Sequence, residues 1–319
     1  MSFPRPANER ASSGKAYFHI VTDPWLAGET VAVHPWVMTI NSTISAAVQN
    51  GTAVEHLVRE IEDAAAAAGV VKSPKPVNDE PGVDAIFLSI YLADHLHEPT
   101  LRTFDKRISI VTSPETANII KPWGYFESVT TTGDLAPAAP QDWPSLHPGG
   151  PLPPWLNAFR LNGHHEYNFA YILLWTPGEG DILMHEAIMY SPHGIKDDQP
   201  AAHAFSRLCL QESSHISVLA ILHGLKESFT AAGRNTLGVA GGLALESALR
   251  PRYWIKSHDA VVKYTGLIGR LTRDYSRTIM DGLKLRESEK KPPSDKAQEN
   301  EGRNPNFVEV ENGHSFVLG

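Results

Sequence analysis

The sequence predicts one α/β domain of layered sheets and helices, and three observations carry this expectation. Short apolar runs of strand length, such as Ala85-Ile86-Phe87-Leu88, alternate with stretches at helical spacing, such as Ala53 to Gly69. Histidines collect in loops that follow predicted strands, as in Asp94-His95-Leu96-His97. At 319 residues, with 42% hydrophobic and 20% charged residues, the chain has the composition of a globular protein able to bury a core.

Composition also excludes several classes. A formal charge of −8 argues against a nucleic-acid partner, which needs a basic surface. No run of about eighteen apolar residues exists, so no membrane span is expected. The first fifteen residues, MSFPRPANERASSGK, are polar and lack the apolar core of a secretory signal; residues 1–15 read as disordered. The single cysteine, Cys209, excludes an internal disulfide and suits a reducing compartment, so a cytoplasmic location is expected.

Taken in order, Ala16 to Val21 reads as a first strand that stops at Thr22-Asp23-Pro24-Trp25-Leu26, where proline ends the ladder and Trp25 is large enough to wall a pocket. The helix 53–69 places Val54, Leu57, Val58 and Ile61 on one face and ends at Gly69. After the 85–88 strand come a short helix at 99–105, a strand at 108–111, and a helix from Ser113, its N-cap, to about Lys121. The proline-rich segment 135–154 reads as a long surface loop. Strands follow at 155–161, 168–175 and 186–190; the run within 214–223 fits either a strand or a helix. Residues 238–249 read as a helix, 253–255 as a short strand, and 260–283 as a long helix with Val261, Tyr264, Leu267, Ile268, Leu271 and Tyr275 in register. This closes a domain at 16–285. A disordered linker is expected at 286–304, without apolar residues other than alanine, and a hairpin at 305–319 around Asn312-Gly313.

Four loops hold the residues with chemistry: Asp94-His95-Leu96-His97, His164-His165, Ser191-Pro192-His193 and Ser257-His258-Asp259. Groups released at one end of several strands in a layered α/β fold meet at one site. With the Asp23-Pro24-Trp25-Leu26 segment, these motifs resemble the metallo-β-lactamase superfamily, and within it a group of fungal proteins carrying DPWL, a loop ending in DH, an SPHG turn and a late HD. The resemblance implies an αββα sandwich. It also implies a degenerate HxHxDH motif, in which Ile90 and Leu92 stand where the first two histidines belong while Asp94 and His95 keep the last two places. One metal position would then depend on Ile90, Leu92 and His164 or His165, and hydrocarbon cannot ligate zinc. The other would draw on Asp94, His95 and His258, with His193 in place of a bridging carboxylate, and its donor set still suits a single Zn²⁺ or Fe²⁺.

Three functions compete on this reading. The first is a repurposed enzyme of fungal secondary metabolism without a cofactor, cyclising or isomerising an apolar small molecule. There His95, His193, His258 and Asp94 act as catalytic groups, and Trp25, Ile90, Tyr91, Leu92, His164 and His165 contact the substrate. The second is a mononuclear metal hydrolase of an ester, lactone or thioester, with Asp94, His95 and His258 as ligands. The third is a non-catalytic binding protein. Serine-hydrolase and dinucleotide signatures are absent from the sequence.

Overall fold

The computed structural model describes residues 1–71, 80–178, 183–230, 233–289 and 304–319. Alternation of side chains along the strands builds its layers. In Ala85–Leu88, Ala85 and Phe87 point to one face and Ile86 and Leu88 to the other, and all four are buried, because both faces of the sheet are covered. This strand is the centre of a five-stranded sheet in the order Ser2–Pro4, Tyr17–Thr22, Ala85–Leu88, Ser109–Thr112, Val129–Thr131. A seven-stranded sheet runs Phe307–Val308, Tyr253–Lys256, Ile216–His223, His185–Tyr190, Asn168–Trp175, Leu156–His165, Gly133–Asp134.

The two sheets face each other across a core of Phe18, Ile20 and Phe87 from one and Leu156, Tyr171 and Leu173 from the other. Phe87 and Tyr171 meet edge to face at 4.8 Å. On the outer side of the first sheet, Ile86, Leu88 and Ile110 pack on Val58, Leu101 and Ile120 from its helices. On the outer side of the second, Phe159 and Ile172 pack on Phe205 and Leu208 of the helix Pro200–Cys209 and on Leu243 of Gly238–Leu249. The result is the expected αββα sandwich. Among the described residues no helix is long and apolar enough to cross a membrane.

Several local expectations are corrected. The first fifteen residues are not disordered: Ser2–Pro4 pairs with Tyr17–Thr22, Phe3 is buried, and Arg5 Nη2 donates to Asp84 Oδ1 at 2.7 Å. Main-chain pairing and one ion pair order a segment whose side chains are mostly polar. The helix Gly51–Ala67 does not bury all of its predicted face, since Leu57 and Ile61 are exposed. It is anchored through carboxylates instead. Glu55 accepts from Gly82 N and Val83 N, and Glu62 accepts from Ala16 N at 2.6 Å, Tyr17 N at 2.9 Å and His19 Nε2 at 2.8 Å. Burial works to raise the Glu62 carboxyl, but the bonds from His19, Ala16 and Tyr17 outweigh it and hold the group below its ordinary range. Glu62→Ala should therefore lower unfolding stability by about 2 kcal/mol, the scale of hydrogen bonds to a charged group, in urea titration at neutral pH. The sign follows from the depressed pKa: the contribution is present above the unfolded carboxyl's pKa and is lost as pH falls below it.

The long helix expected at 260–283 does not form. The segment is a strand Val262–Thr265, a single turn Gly266–Gly269, a strand Arg273–Tyr275, and a helix from Ile279 to Glu289. Val262–Thr265 pairs with Met38–Ser42, a partner remote in sequence that helical periodicity does not register. Gly266 sits at φ 87°, where a Cβ would also lie 2.7 Å from the Val37 carbonyl oxygen. The linker expected at 286–304 begins inside the last helix; residues 290–303 lie outside the described residues. The C-terminal hairpin is replaced by one strand, Phe307–Val308, added in parallel to Tyr253–Lys256, with Phe307 edge-on to Trp254. Beyond the Asn312-Gly313 turn the chain forms no strand, and the Gly319 carbonyl accepts from Arg252 Nη1 and Tyr253 OH.

Candidate metal centre

Tyr17–Thr22, Ala85–Leu88 and Ser109–Thr112 run parallel, as do His185–Tyr190, Ile216–His223 and Tyr253–Lys256. Asp23, Asp94 with His95, His193 and His258 all follow the C-terminal ends of these strands. Parallel strands thereby deliver residues from remote parts of the sequence to one edge of the sandwich. One ligating atom from each of Asp94, His95, His193 and His258 lies within 4.8 Å of the other three, and among the described residues this is the only such group. His95 Nε2 is 3.2 Å from His193 Nε2 and 3.8 Å from Asp94 Oδ2, and His258 Nε2 is 3.7 Å from Asp94 Oδ2. The His95 and His258 rings stack with centroids 4.8 Å apart.

A carboxylate sets the ring of His95, and backbone turns set the positions of His193 and His258. Asp23, at φ 43°, accepts from Ser89 N at 2.7 Å, from Ser89 Oγ, from Tyr190 OH at 2.7 Å and from His95 Nδ1 at 2.7 Å. A carboxylate on Nδ1 places the proton there and turns Nε2 toward the cluster, the arrangement found behind metal-bound histidines. His193 is set by the turn at Gly194, φ 87°, and by Leu237 N donating to its carbonyl at 2.9 Å. His258 is itself left-handed, at φ 59°; the next residue, Asp259, accepts from Leu225 N at 2.7 Å and Lys226 N at 2.8 Å. Gly224 is required beside it, because a Cβ there would meet Asp259 Oδ1 at 2.8 Å.

Charge within the cluster is polarised. Burial works against the charged form of Asp94, but His95 and then His258 hold its carboxyl far below the usual range. Burial likewise works against protonated His95, yet Asp94 and then Asp23 raise it to about 9. His193 is pushed well down by burial and by its two histidine neighbours, and His258 is lowered chiefly by burial. The metal-free protein should hence carry an Asp94 carboxylate beside a His95 imidazolium. The signs give a window. Asp94's contribution to stability is lost as pH falls below the unfolded carboxyl's pKa, and His95's is full below its unfolded pKa and lost as pH rises toward about 9. Thermal unfolding of the metal-free chain should show stability from this pair peaking in mildly acid solution, between about pH 4 and 6.5.

Three imidazoles and one carboxylate form a donor set suited to a borderline divalent ion. Bonds of about 2.0–2.1 Å would give tetrahedral edges of about 3.3–3.4 Å, close to the 3.2 Å between the nitrogens of His95 and His193 and somewhat inside the 3.7–3.8 Å edges to Asp94. The donor types therefore suit a single metal ion, and the widest separations in the cluster, up to 4.8 Å, would have to close for all four groups to bind it. The cluster is closed on one side and open on the other: the side chains of Asp94 and His258 are 24% and 22% exposed, against 1% for His95.

The remaining residues singled out in the sequence lie elsewhere. Ile90 and Tyr91, with His164 and His165, line a cavity of about 430 Å³ together with Arg160, Glu115 and Ser89. Ile90 is buried, and Tyr91 OH donates to Glu166. His164 and His165 are exposed; they are not in a loop after a strand but end the Leu156–His165 strand itself, whose pairing with Asn168 keeps them out of the cluster. Leu92 is half-buried against the inter-sheet core. Trp25 packs on His97 and lines a second cleft of about 360 Å³ with Ile44, Ala260 and Val261. Asp23 and Tyr190 were not singled out as site residues by sequence. The available signal was an aspartate directly after a predicted strand and before a proline, the same placement that marked the histidines.

No family model matches the chain, and no curated protein matches it. Solved structures do. An isothiocyanate hydrolase from Delia radicum gut bacteria superposes with a TM-score of 0.50 at 12% identity, over 94% of this chain and 92% of that one. A possible metal-dependent hydrolase from Veillonella parvula gives 0.43 at 9% identity, over 73% and 75% of the two chains. A long form RNase Z from yeast gives 0.33 at 10% identity, over 56% of this chain and 29% of that one. The likeness to the first spans nearly the whole of both chains, and with the two facing sheets, the outer helices and the strand-end cluster it identifies the architecture. The chain has the metallo-β-lactamase fold.

Proposed function

We propose that this chain is a metal-dependent hydrolase working with one ion, held by Asp94, His95, His193 and His258, on an ester, lactone or thioester. The observation that carries the reading is the convergence of these four groups within 4.8 Å, with the Asp23 carboxylate behind His95. A divalent ion held by these four groups would supply Lewis acidity toward a carbonyl or a water, provided it takes that group as a fifth ligand beside the protein's four, as catalytic zinc can. The chain's own residues do the rest. Asp23 fixes the tautomer of His95, buried His95 and His193 close the inner side to solvent, and the exposed edges of Asp94 and His258 leave the approach for a substrate. Two ions are disfavoured, because the positions that would hold the second are Ile90 and Leu92, packed into the core.

The alternative from sequence, a metal-free cyclisation of an apolar molecule, needs Ile90 and Leu92 to wall the histidine site and the histidines to be free as donors. Here the histidines face one another, and Ile90 lines a different cavity, with Tyr91, His164 and His165. The test is elemental analysis of protein purified without an affinity tag or added metal, together with hydrolysis of a panel of aryl esters, lactones and thioesters before and after chelation. About one equivalent of Zn or Fe, and turnover lost to chelator and restored by metal, is expected. Protein that neither carries nor takes up metal would overturn the proposal, and chelator-resistant turnover of a polyene would establish the cyclase in its place.

A further inference from the structure

The corrected segment 260–275 leaves an unusual surface. Thr30–Ala32, Met38–Ser42 and Val262–Thr265 form a separate three-stranded sheet, and the turn Gly266–Gly269 closes onto it. Leu267 N donates to the Trp36 carbonyl at 2.9 Å and Ile268 N to that of Val37 at 2.9 Å, so the tips at 33–37 and 266–271 form one lobe. That lobe turns its large apolar side chains outward: Val33 is 94% exposed, Trp36 65% and Leu267 63%, with Ile268 and Leu271 beside them. Isolated exposed apolar residues are ordinary, but five on two hydrogen-bonded tips form a patch. Val33 is also held at φ 70°, a region that a β-branched residue adopts only at a cost in strain. The lobe is fixed to the body from beneath, where Tyr264 OH donates to Asp274 at 3.0 Å and Lys226 Nζ pairs with Asp274 at 3.3 Å.

Charge bears on what this surface would meet. The segments 30–44 and 260–273 carry Lys263, Arg270 and Arg273 and no acid, in a chain of net charge −8. Of the acids that flank them, Asp259 is tied to Leu225 and Lys226 and Asp274 to Lys226 and Tyr264, which leaves exposed Glu29. All three cations are exposed. A tryptophan and aliphatic residues interspersed with cations match the interface of an anionic bilayer, where indole rings settle at headgroup level and basic side chains meet phosphate and carboxylate. A second copy of the chain is a poorer match, because a two-fold contact through this patch would bring its cations onto themselves without acidic partners. We infer that the lobe of residues 30–44 and 260–273 is a docking surface for anionic lipid membranes. The lobe also borders the cleft lined by Trp25, Ile44, Ala260 and Val261, so docking would place the mouth of that cleft at the lipid surface. The inference does not rest on the hydrolase reading, and its readout is binding alone.

The experiment is co-sedimentation of the full chain with phosphatidylcholine vesicles and with mixed phosphatidylcholine–phosphatidylserine vesicles, at low and high salt. Binding to the mixed vesicles is expected, weakened by salt and weak on phosphatidylcholine alone. Arg270→Gln should lower partitioning about fivefold, the share of one basic residue at an anionic surface. Trp36→Ala with Leu267→Ser should lower it more than about tenfold through lost apolar contact. Circular dichroism and thermal unfolding, unchanged in the variants, would separate these effects from misfolding. Absence of binding to anionic vesicles, or binding that both variants leave intact, would overturn the inference. So would self-association in sedimentation velocity that the same variants abolish, since this would assign the face to a second copy.

Discussion

His95→Ala and Asp94→Ala should each weaken metal binding more than about 100-fold, lowering the metal content of the purified protein below one equivalent and hydrolysis with it. The magnitude follows from the size of the site. Binding of a zinc ion by four protein ligands is worth about 10–16 kcal/mol, so one ligand carries on the order of 3 kcal/mol, more than 100-fold in affinity. His95 is the more severe loss, because its removal also leaves the buried Asp23 carboxylate without one of its four donors. Isothermal titration of metal-stripped protein, with thermal unfolding as a control for folding, reads both effects. Wild-type affinity retained in either variant would exclude these residues as ligands. His164→Ala and His165→Ala serve as the matched controls: both side chains are exposed and outside the cluster, and their removal should leave metal affinity within about twofold of wild type.

Asp23→Asn should weaken metal binding by about 10–100-fold without touching the ion, since it acts through the orientation and basicity of His95. Asparagine keeps the shape of the side chain and an acceptor for Ser89 N, which makes it a cleaner probe than alanine. A pH profile distinguishes positioning from general damage. With His95 raised to about 9 by Asp94 and then Asp23, metal must displace a proton at neutral pH. Wild-type affinity should then climb by up to about tenfold per pH unit and level off near pH 9. In Asp23→Asn the negative charge behind the ring is gone, His95 loses its proton more readily, and the plateau should begin at lower pH while its height is reduced. An unshifted profile with uniformly reduced affinity would indicate a structural role only. The companion variant Tyr190→Phe removes one donor to Asp23 and should have the smaller effect, within about tenfold.

The sequence by itself determined the layered architecture and the groups that meet in the cluster. Ala85–Leu88, Asn168–Trp175 and His185–Tyr190 are apolar runs of strand length, and the helix after Ser113 carries its own cap. These are local signals, set by side-chain period and by turn chemistry, and they survive folding because each strand is covered on both faces. Asp94, His95, His193 and His258 were legible for a related reason: polar groups in the loop that follows a strand are delivered to the sheet edge wherever that strand is placed. Tertiary structure alone decided the rest. His164 and His165 look equivalent to His193 in sequence, but the Leu156–His165 strand continues through them, so they stay on a strand instead of entering the cluster. The apolar residues of 260–283 have helical spacing, yet Val262–Thr265 is claimed by Met38–Ser42 from the far end of the chain, and Gly266 turns where a helix would continue. Asp23 becomes the hub behind His95 only because Ser89 and Tyr190 arrive from other strands. Pairing between distant segments depends on contacts that no local period encodes, and that is why the cluster's members could be read from the chain while its support, its open face and the exposed lobe of residues 30–44 and 260–273 could not.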